Sequence, residues 1–242
     1  MKSMDFEYVE RRIGYTFQHK RLLEQAFTRK SYINEKKDAQ SNEVLEFYGD
    51  RALELVITQK MSRYFGKVAE DGLYHSTKDE GDLTKLKVEL VRKEMLSFRI
   101  RAMELEARLF MSRGDKKQAA FERDSVQEDL FEAILGAVAM DSDWDVKVLT
   151  RVVERMLNPE FYFKYGLDDR TDHRSLLGEW YQKRYGVEPN YQIERVDRHF
   201  YCKLKVQGFP LFKAESQGPD EAQRECAKQA VLYLKERGEM SL

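Results

Sequence analysis

The stretch Asn42-Glu43-Val44-Leu45-Glu46-Phe47-Tyr48-Gly49-Asp50 holds three carboxylates at a spacing that a helix turns into one stripe. With 3.6 residues per turn, Glu43, Glu46 and Asp50 stand at i, i+3 and i+7 along about two turns. They sit among Val44, Leu45, Phe47, Tyr48, Ala52, Leu53, Leu55, Val56 and Ile57, so the helix is expected to be mostly buried. Carboxylates in that setting stay ionised only beside cations or hydrogen-bond donors. A divalent metal is the natural partner. Acids at helical spacing are more often the solvated face of an amphipathic helix. The width of the apolar arc argues against that here, as does a second acidic pair further along.

That pair is Asp129 and Glu132, one turn apart at the start of the apolar run Asp129 to Met140. Ser125-Val126-Gln127-Glu128 reads as a capping box that opens this helix. An acid in the first turn is favoured by the helix dipole, which accounts for Asp129 but not for Glu132. Ala133, Gly136 and Ala137 give a small-residue face on which another helix can approach closely. If that other helix is the first acidic one, five carboxylates converge.

The elements that must position them form a chain of 242 residues, enough for two ordinary domains. Forty-two Lys and Arg against 43 Asp and Glu leave a net charge of −1, so any nucleic-acid surface has to be local. Cys202 and Cys226 form no metal-ligand or disulfide pattern, and the four histidines are scattered, which excludes a zinc or disulfide scaffold. The start is polar, no apolar run approaches membrane-spanning length, and a soluble, cytoplasmic protein is expected.

The first part reads as successive helices. Leu22, Leu23, Ala26 and Phe27 make one apolar face, and Asn34 to Ser41 is a loop, with Ser41 or Asn42 as N-cap of the acidic helix. Thr77-Lys78-Asp79-Glu80 reads as a capping box before a helix that buries Leu83, Leu86, Leu90 and Val91. Ser112 to Asp124 reads as an exposed loop, either simply solvated or approaching phosphates. Gly166 to Asp172 is the expected linker. Beyond it come a helix with Leu176, Leu177, Trp180 and Tyr181 on one face, three strands, and a last helix opened by Pro219 and lined by Ala222, Cys226, Ala230 and Leu234. The fold class is therefore an all-α domain followed by a small α+β domain of α-β-β-β-α order.

The acidic motifs carry a resemblance. Asn42 to Asp50 is similar at every specified position to the pattern N-E-x-L-E-F-x-G-D of the ribonuclease III family, and Asp129-Leu130-Phe131-Glu132-Ala133 is similar to its second acidic motif. Arg12 to Phe17 and Glu80 to Leu86 extend the likeness over nearly the whole helical part, and the tail resembles a double-stranded-RNA-binding domain. The resemblance implies an endonuclease domain over 1–165, a linker over 166–172, and an RNA-binding-like domain over 173–242. It also implies hydrolysis of double-stranded RNA to 5′-phosphate ends by a homodimer using Mg²⁺, for which Mn²⁺ substitutes. Residue by residue, it makes Glu46, Asp50, Asp129 and Glu132 the metal ligands, with Asp50 and Glu132 the most activity-critical pair and Glu43 an outer member. Phe47 takes the place of an aromatic that inserts into the partner subunit, whereas the residues alone suggest an ordinary core phenylalanine. The alternative is a non-cleaving RNA-binding or ribosome-associated protein; it should lack one of the four acids, and none is lacking.

The tail departs from the family's pattern. Ser175 and Glu179 match RNA contacts of the first helix, but Gly178 replaces a polar side chain. The loop Arg195-Val196-Asp197-Arg198-His199 is short, which leaves the RNA-binding role of His199 open. Gly218-Pro219-Asp220 stands where the family has a lysine pair. With basic and acidic residues nearly balanced beyond residue 171, duplex RNA is expected to bind this tail weakly.

Overall fold

Helix follows helix through the first two thirds of the chain. The computed structural model describes residues 5–34, 39–165 and 171–240, and contacts divide the chain into two units, Met1–Glu160 and Phe161–Leu242. Residues 166–170 of the expected linker, and 35–38 of the expected loop before the acidic helix, lie outside the described residues.

The first unit opens with α1 (Phe6–Ile13), α2 (Lys20–Ala26), α3 (Lys30–Ile33) and the long α4 (Glu43–Tyr64). A short antiparallel hairpin follows, β1 (Gly66–Val68) and β2 (Tyr74–Ser76). Then come α5 (Glu80–Val91), α6 (Lys93–Ala102), α7 (Arg113–Lys117), α8 (Asp124–Asp141), α9 (Val146–Leu157) and α10 (Pro159–Tyr165), the last crossing the division between units. α8 is the spine: Leu130, Phe131, Ile134, Leu135 and Val138 are fully buried, and α2, α4, α6 and α9 pack around it. Burying five such side chains contributes roughly 10 kcal/mol. That outweighs the cost of a crowded carboxylate at about 1.4 kcal/mol per pKa unit, so the fold tolerates acids at the start of α8.

The C-terminal end of α8 is held by an acid that the helix dipole disfavours there. Asp141 is buried and accepts hydrogen bonds from the Tyr15 hydroxyl at 2.8 Å and from the backbone N–H groups of Gln18 at 2.8 Å and His19 at 2.9 Å. Burial acts upward on its pKa, but these donors together hold it below the usual range.

Three local expectations are corrected. Asp79, not Thr77, caps α5, accepting from the Asp82 N–H at 2.8 Å, while Thr77 donates its hydroxyl to the Phe65 carbonyl. α8 starts at Asp124 behind Arg123, so Ser125 is inside the first turn and caps nothing. The segment Ser112 to Asp124 is not an open loop: Ser112 caps α7, and a 3₁₀ turn covers Ala120–Glu122.

In the second unit α11 (His173–Tyr185) leads into β3 (Tyr191–Val196), β4 (His199–Lys205) and β5 (Leu211–Ser216), an antiparallel sheet of order β3-β4-β5, and then α12 (Pro219–Glu236). Cys202, Leu204, Phe212 and Ala214 turn one sheet face inward, where α12 buries Ala222, Cys226, Ala230 and Leu234 and α11 buries Leu177 and Tyr181. The two cysteines are buried and form no disulfide. A hydrogen bond from Cys226 holds the Cys202 thiol below the ordinary cysteine range, against the upward effect of burial.

Candidate active site

The two acid-bearing helices touch backbone to backbone. A Cβ on Gly49 would lie 1.7 Å from the carbonyl oxygen of Glu132, and one on Gly136 would lie 1.9 Å from that of Leu45. No side chain fits at either position, so the glycine inside the first motif and the small-residue face of α8 are two halves of one helix crossing. This contact brings Glu46 and Asp50 on α4 toward Asp129 and Glu132 on α8. All four are partly buried.

The resulting field is strongly repulsive. Burial first, and then Asp50, Glu128, Glu46 and Asp129, push Glu132 up to about 8. Burial, Asp129, Glu43 and Glu128 push Glu46 up to about 7. Asp129 is also raised, by burial, although Arg29 acts downward on it. Neither Glu46 nor Glu132 has a hydrogen-bond or ion-pair partner for its side chain among the described residues. Glu43 is exposed and pairs with Lys30 at 2.9 Å, and Asp50 pairs with Arg51 at 3.1 Å. Among the described residues no three His, Cys, Asp or Glu side chains close around a common point. The acids face one another as neighbours rather than as a finished cage, as mutual repulsion requires.

A pH dependence follows for the metal-free protein. The folded state holds the Glu46 and Glu132 protons more tightly than the unfolded chain, whose glutamates titrate near 4.5. Their contribution to stability is therefore full below about pH 4.5 and is lost as the pH rises through the folded values near 7 and 8. Urea midpoints of metal-free protein are expected to fall between pH 5 and pH 8, and to fall less in the Glu46→Gln/Glu132→Gln protein. An unchanged slope in that variant would remove the assignment.

Glu128 belongs to this cluster and sequence reasoning missed it. As the last residue of a capping box it would serve the helix start alone; with α8 beginning at Asp124 it is half-buried, and burial and Asp129 raise its pKa. Its position four residues before Glu132, on the same helix face, was the available signal.

Comparison with known proteins places this architecture. A family model described as Ribonuclease-III-like matches residues 19–160. The chain belongs to the ribonuclease III family. A Ribonuclease 3 of Roseburia hominis is 34% identical over 98% of this chain and 75% of its own length. That of Treponema succinifaciens is 44% identical over 74% of this chain, which corresponds to 49% of the relative. Among solved structures, the nuclease domain of Ribonuclease III from Campylobacter jejuni superposes with a TM-score of 0.53 at 28% identity, covering 64% of this chain and 99% of that domain.

Two features of this ribonuclease III family member lie outside the acidic cluster. α4 is less buried than the expected mostly buried helix: Leu45, Ala52, Leu53 and Val56 are buried, whereas Val44 and Phe47 are each 61% exposed and Leu55 is 44% exposed. Phe47 is thus no core phenylalanine within one chain. Its apolar stripe is open because the glycine crossing uses the opposite side of the helix.

The second feature is the second unit's altered surface. Ser175 is exposed but engaged locally, donating its hydroxyl to Asp172 at 2.7 Å at the start of α11. Glu179 is exposed on the same helix, and the Glu188 carboxylate occupies the space beside Gly178, 3.2 Å from where a Cβ would stand. His199 is in β4, paired across the ladder with Val196 and 3.6 Å from Glu215. Only Asp197 and Arg198 make the turn, with Asp197 at φ 55°.

Proposed function

We propose that this ribonuclease III family member is a metal-dependent endoribonuclease of RNA processing that hydrolyses phosphodiester bonds of double-stranded RNA, leaving 5′-phosphate and 3′-hydroxyl ends. The observation that carries the reading is the glycine crossing of α4 and α8, which gathers acids from both motifs into one partly buried, mutually repelling group. Such hydrolysis needs an activated water and relief of the negative charge that grows on the phosphate oxygens; Mg²⁺ held by carboxylates supplies both, with Mn²⁺ as a substitute. The residues fit a hard cation, since the donors are all carboxylate oxygens and two of the side chains lack any partner among the described residues. Glu46, Asp50, Asp129 and Glu132 hold the metal, Asp50 and Glu132 are the pair whose loss costs most, and Glu43 shapes the field from the rim. Because Glu46 and Glu132 hold their protons more tightly than ordinary glutamates in the metal-free site, binding of a cation there would release protons.

A long RNA duplex, labelled at its 5′ ends and incubated with and without Mg²⁺, tests the reading. Cleavage of duplex but not of single strands, and only with metal, is expected. Absence of cleavage with either Mg²⁺ or Mn²⁺ would favour the non-cleaving RNA-binding alternative.

One acidic group serves one strand, so cutting both calls for a symmetric homodimer. The open stripe of Val44, Phe47 and Leu55 supports an interface along α4, and the nuclease domain from Campylobacter jejuni is described as having structural flexibility in a region involved in dimer formation. Phe47→Asp is expected to raise the dimer dissociation constant by on the order of 100-fold. Sedimentation at micromolar concentration reads this, and a dimer as tight as the parent's would place the interface elsewhere. The thiols of Cys202 and Cys226, which form no disulfide, suit the reducing cytoplasm, and among the described residues no helix is long and apolar enough to cross a membrane.

The second unit is proposed to add only a weak hold on the duplex. Its hairpin is cut to two residues, Asp220 stands at the start of α12, and the nearby Arg174 is 3.6 Å from that carboxylate. Ser175, Glu179 and His199 are the remaining candidates for RNA contact. A chain ending at Tyr165 is expected to keep its kcat and to gain less than about tenfold in KM, because few phosphate contacts are lost. A loss of 10³ or more would restore the tail as the main grip.

A further inference from the structure

The segment leading into α4 fixes a cation beside the acids that the proposed chemistry does not employ. Thr28 is buried and bridges to Phe110 in parallel fashion: the Arg29 N–H donates to the Phe110 carbonyl at 3.0 Å, and the Phe110 N–H to the Phe27 carbonyl at 2.8 Å. The Thr28 carbonyl accepts from the N–H of Asn42 at 2.8 Å, so Arg29 is fastened beside the first turn of the acid helix. Its neighbour Lys30 reaches Glu43 at 2.9 Å.

From the other side the guanidinium is braced. Arg29 Nη1 lies 3.4 Å from Asp115 Oδ2, and the same oxygen accepts the Ser31 hydroxyl at 2.7 Å. Ser112 completes the brace, with its N–H on the Ser31 hydroxyl at 3.2 Å and its own hydroxyl accepting from the Asp115 N–H at 3.1 Å. The Arg29 side chain is only 25% exposed. Its charge acts downward on both Asp129 and Glu46, opposing burial.

We propose that Arg29 is a positioning residue of the metal site: braced by Asp115, it is a built-in counter-cation that steadies Glu46 and Asp129 before a divalent ion arrives and competes with that ion when it binds. The second half of this statement rests on the metal-site reading given above; the first does not. The sign separates it from a scaffold role. Removing a positive charge beside an acidic group makes the metal-free protein less stable but the group more attractive to cations. Loosening a scaffold would weaken both.

Metal-free melting of the full chain tests the first half. Arg29→Gln is expected to lower the melting temperature by roughly 2–4 °C, and to lower it far less when placed in Glu46→Gln/Asp129→Asn protein, where the acids it serves are neutral. An equal loss in both backgrounds would make Arg29 a scaffold residue and overturn the proposal. Mn²⁺ titration followed by calorimetry tests the second half: Arg29→Gln is expected to bind the ion roughly three- to tenfold more tightly, and Arg29→Lys to stay near the parent. Weaker binding by Arg29→Gln refutes the competition. A parent that binds no Mn²⁺ removes the metal reading itself, and the melting cycle still decides whether Arg29 acts through the acids.

Discussion

Glu132→Gln protein is expected to cleave duplex RNA at least on the order of 10³-fold more slowly than the parent while melting at a higher temperature in the absence of metal. The substitution keeps the size of the side chain and removes the charge that Asp50, Glu128, Glu46 and Asp129 all oppose. Activity falls because the proposed metal site would exchange a carboxylate for a neutral amide, a loss that more metal or more substrate does not restore. Stability rises because glutamine is neutral in both states, whereas Glu132, lifted to about 8 in the folded protein, must take up a proton on folding near neutral pH. Single-turnover cleavage and calorimetric melting on the same preparation read both effects. Retained cleavage would remove Glu132 from the mechanism, and a loss of both activity and stability would make it a structural residue.

Gly136→Ala and Gly49→Ala are expected to be the most damaging single-methyl changes in the first unit. At most helical positions alanine is the better helix former by about 1 kcal/mol. Here the added carbon would meet the Leu45 carbonyl at 1.9 Å or the Glu132 carbonyl at 1.7 Å, and the obstacle is backbone rather than a movable side chain. α4 and α8 would have to separate, opening the contact around Leu130, Phe131 and Ile134. A destabilisation at or beyond the upper end of the usual ~1–3 kcal/mol for overpacking is expected, measured by urea unfolding. The informative companion is Gly114→Ala, where the nearest atom is the Ser112 hydroxyl at 3.6 Å and little change is expected. Equal tolerance at all three positions would show that the helices do not meet as described.

What the sequence made legible was what helical periodicity and local chemistry decide. Glu43, Glu46 and Asp50 share a stripe by geometry alone, and the small-residue face at Ala133, Gly136 and Ala137 announced a close neighbour. Pro219 placed the start of the last helix. What stayed hidden depended on distant parts of the chain or on shifts of one or two residues at helix ends. Glu128 was hidden because α8 starts before Ser125. The open side of α4 was invisible to periodicity, and only the family resemblance at Phe47 pointed to it, because an apolar arc reports only that a surface is apolar, not whether the same chain covers it. The role proposed for Arg29 was not legible, since it rests on Phe110 and Asp115, more than 80 positions away.

The two buried thiols give the second unit a private reporter. Both cysteines of the chain stand inside it, on β4 and α12, and neither is accessible in the closed state. A thiol-reactive dye added to the whole protein therefore labels only molecules in which this sheet and helix have parted. Its rate, followed against urea, measures local opening of the small unit without interference from the helical one. Duplex RNA that slows labelling would reveal an engagement too weak to capture by direct binding.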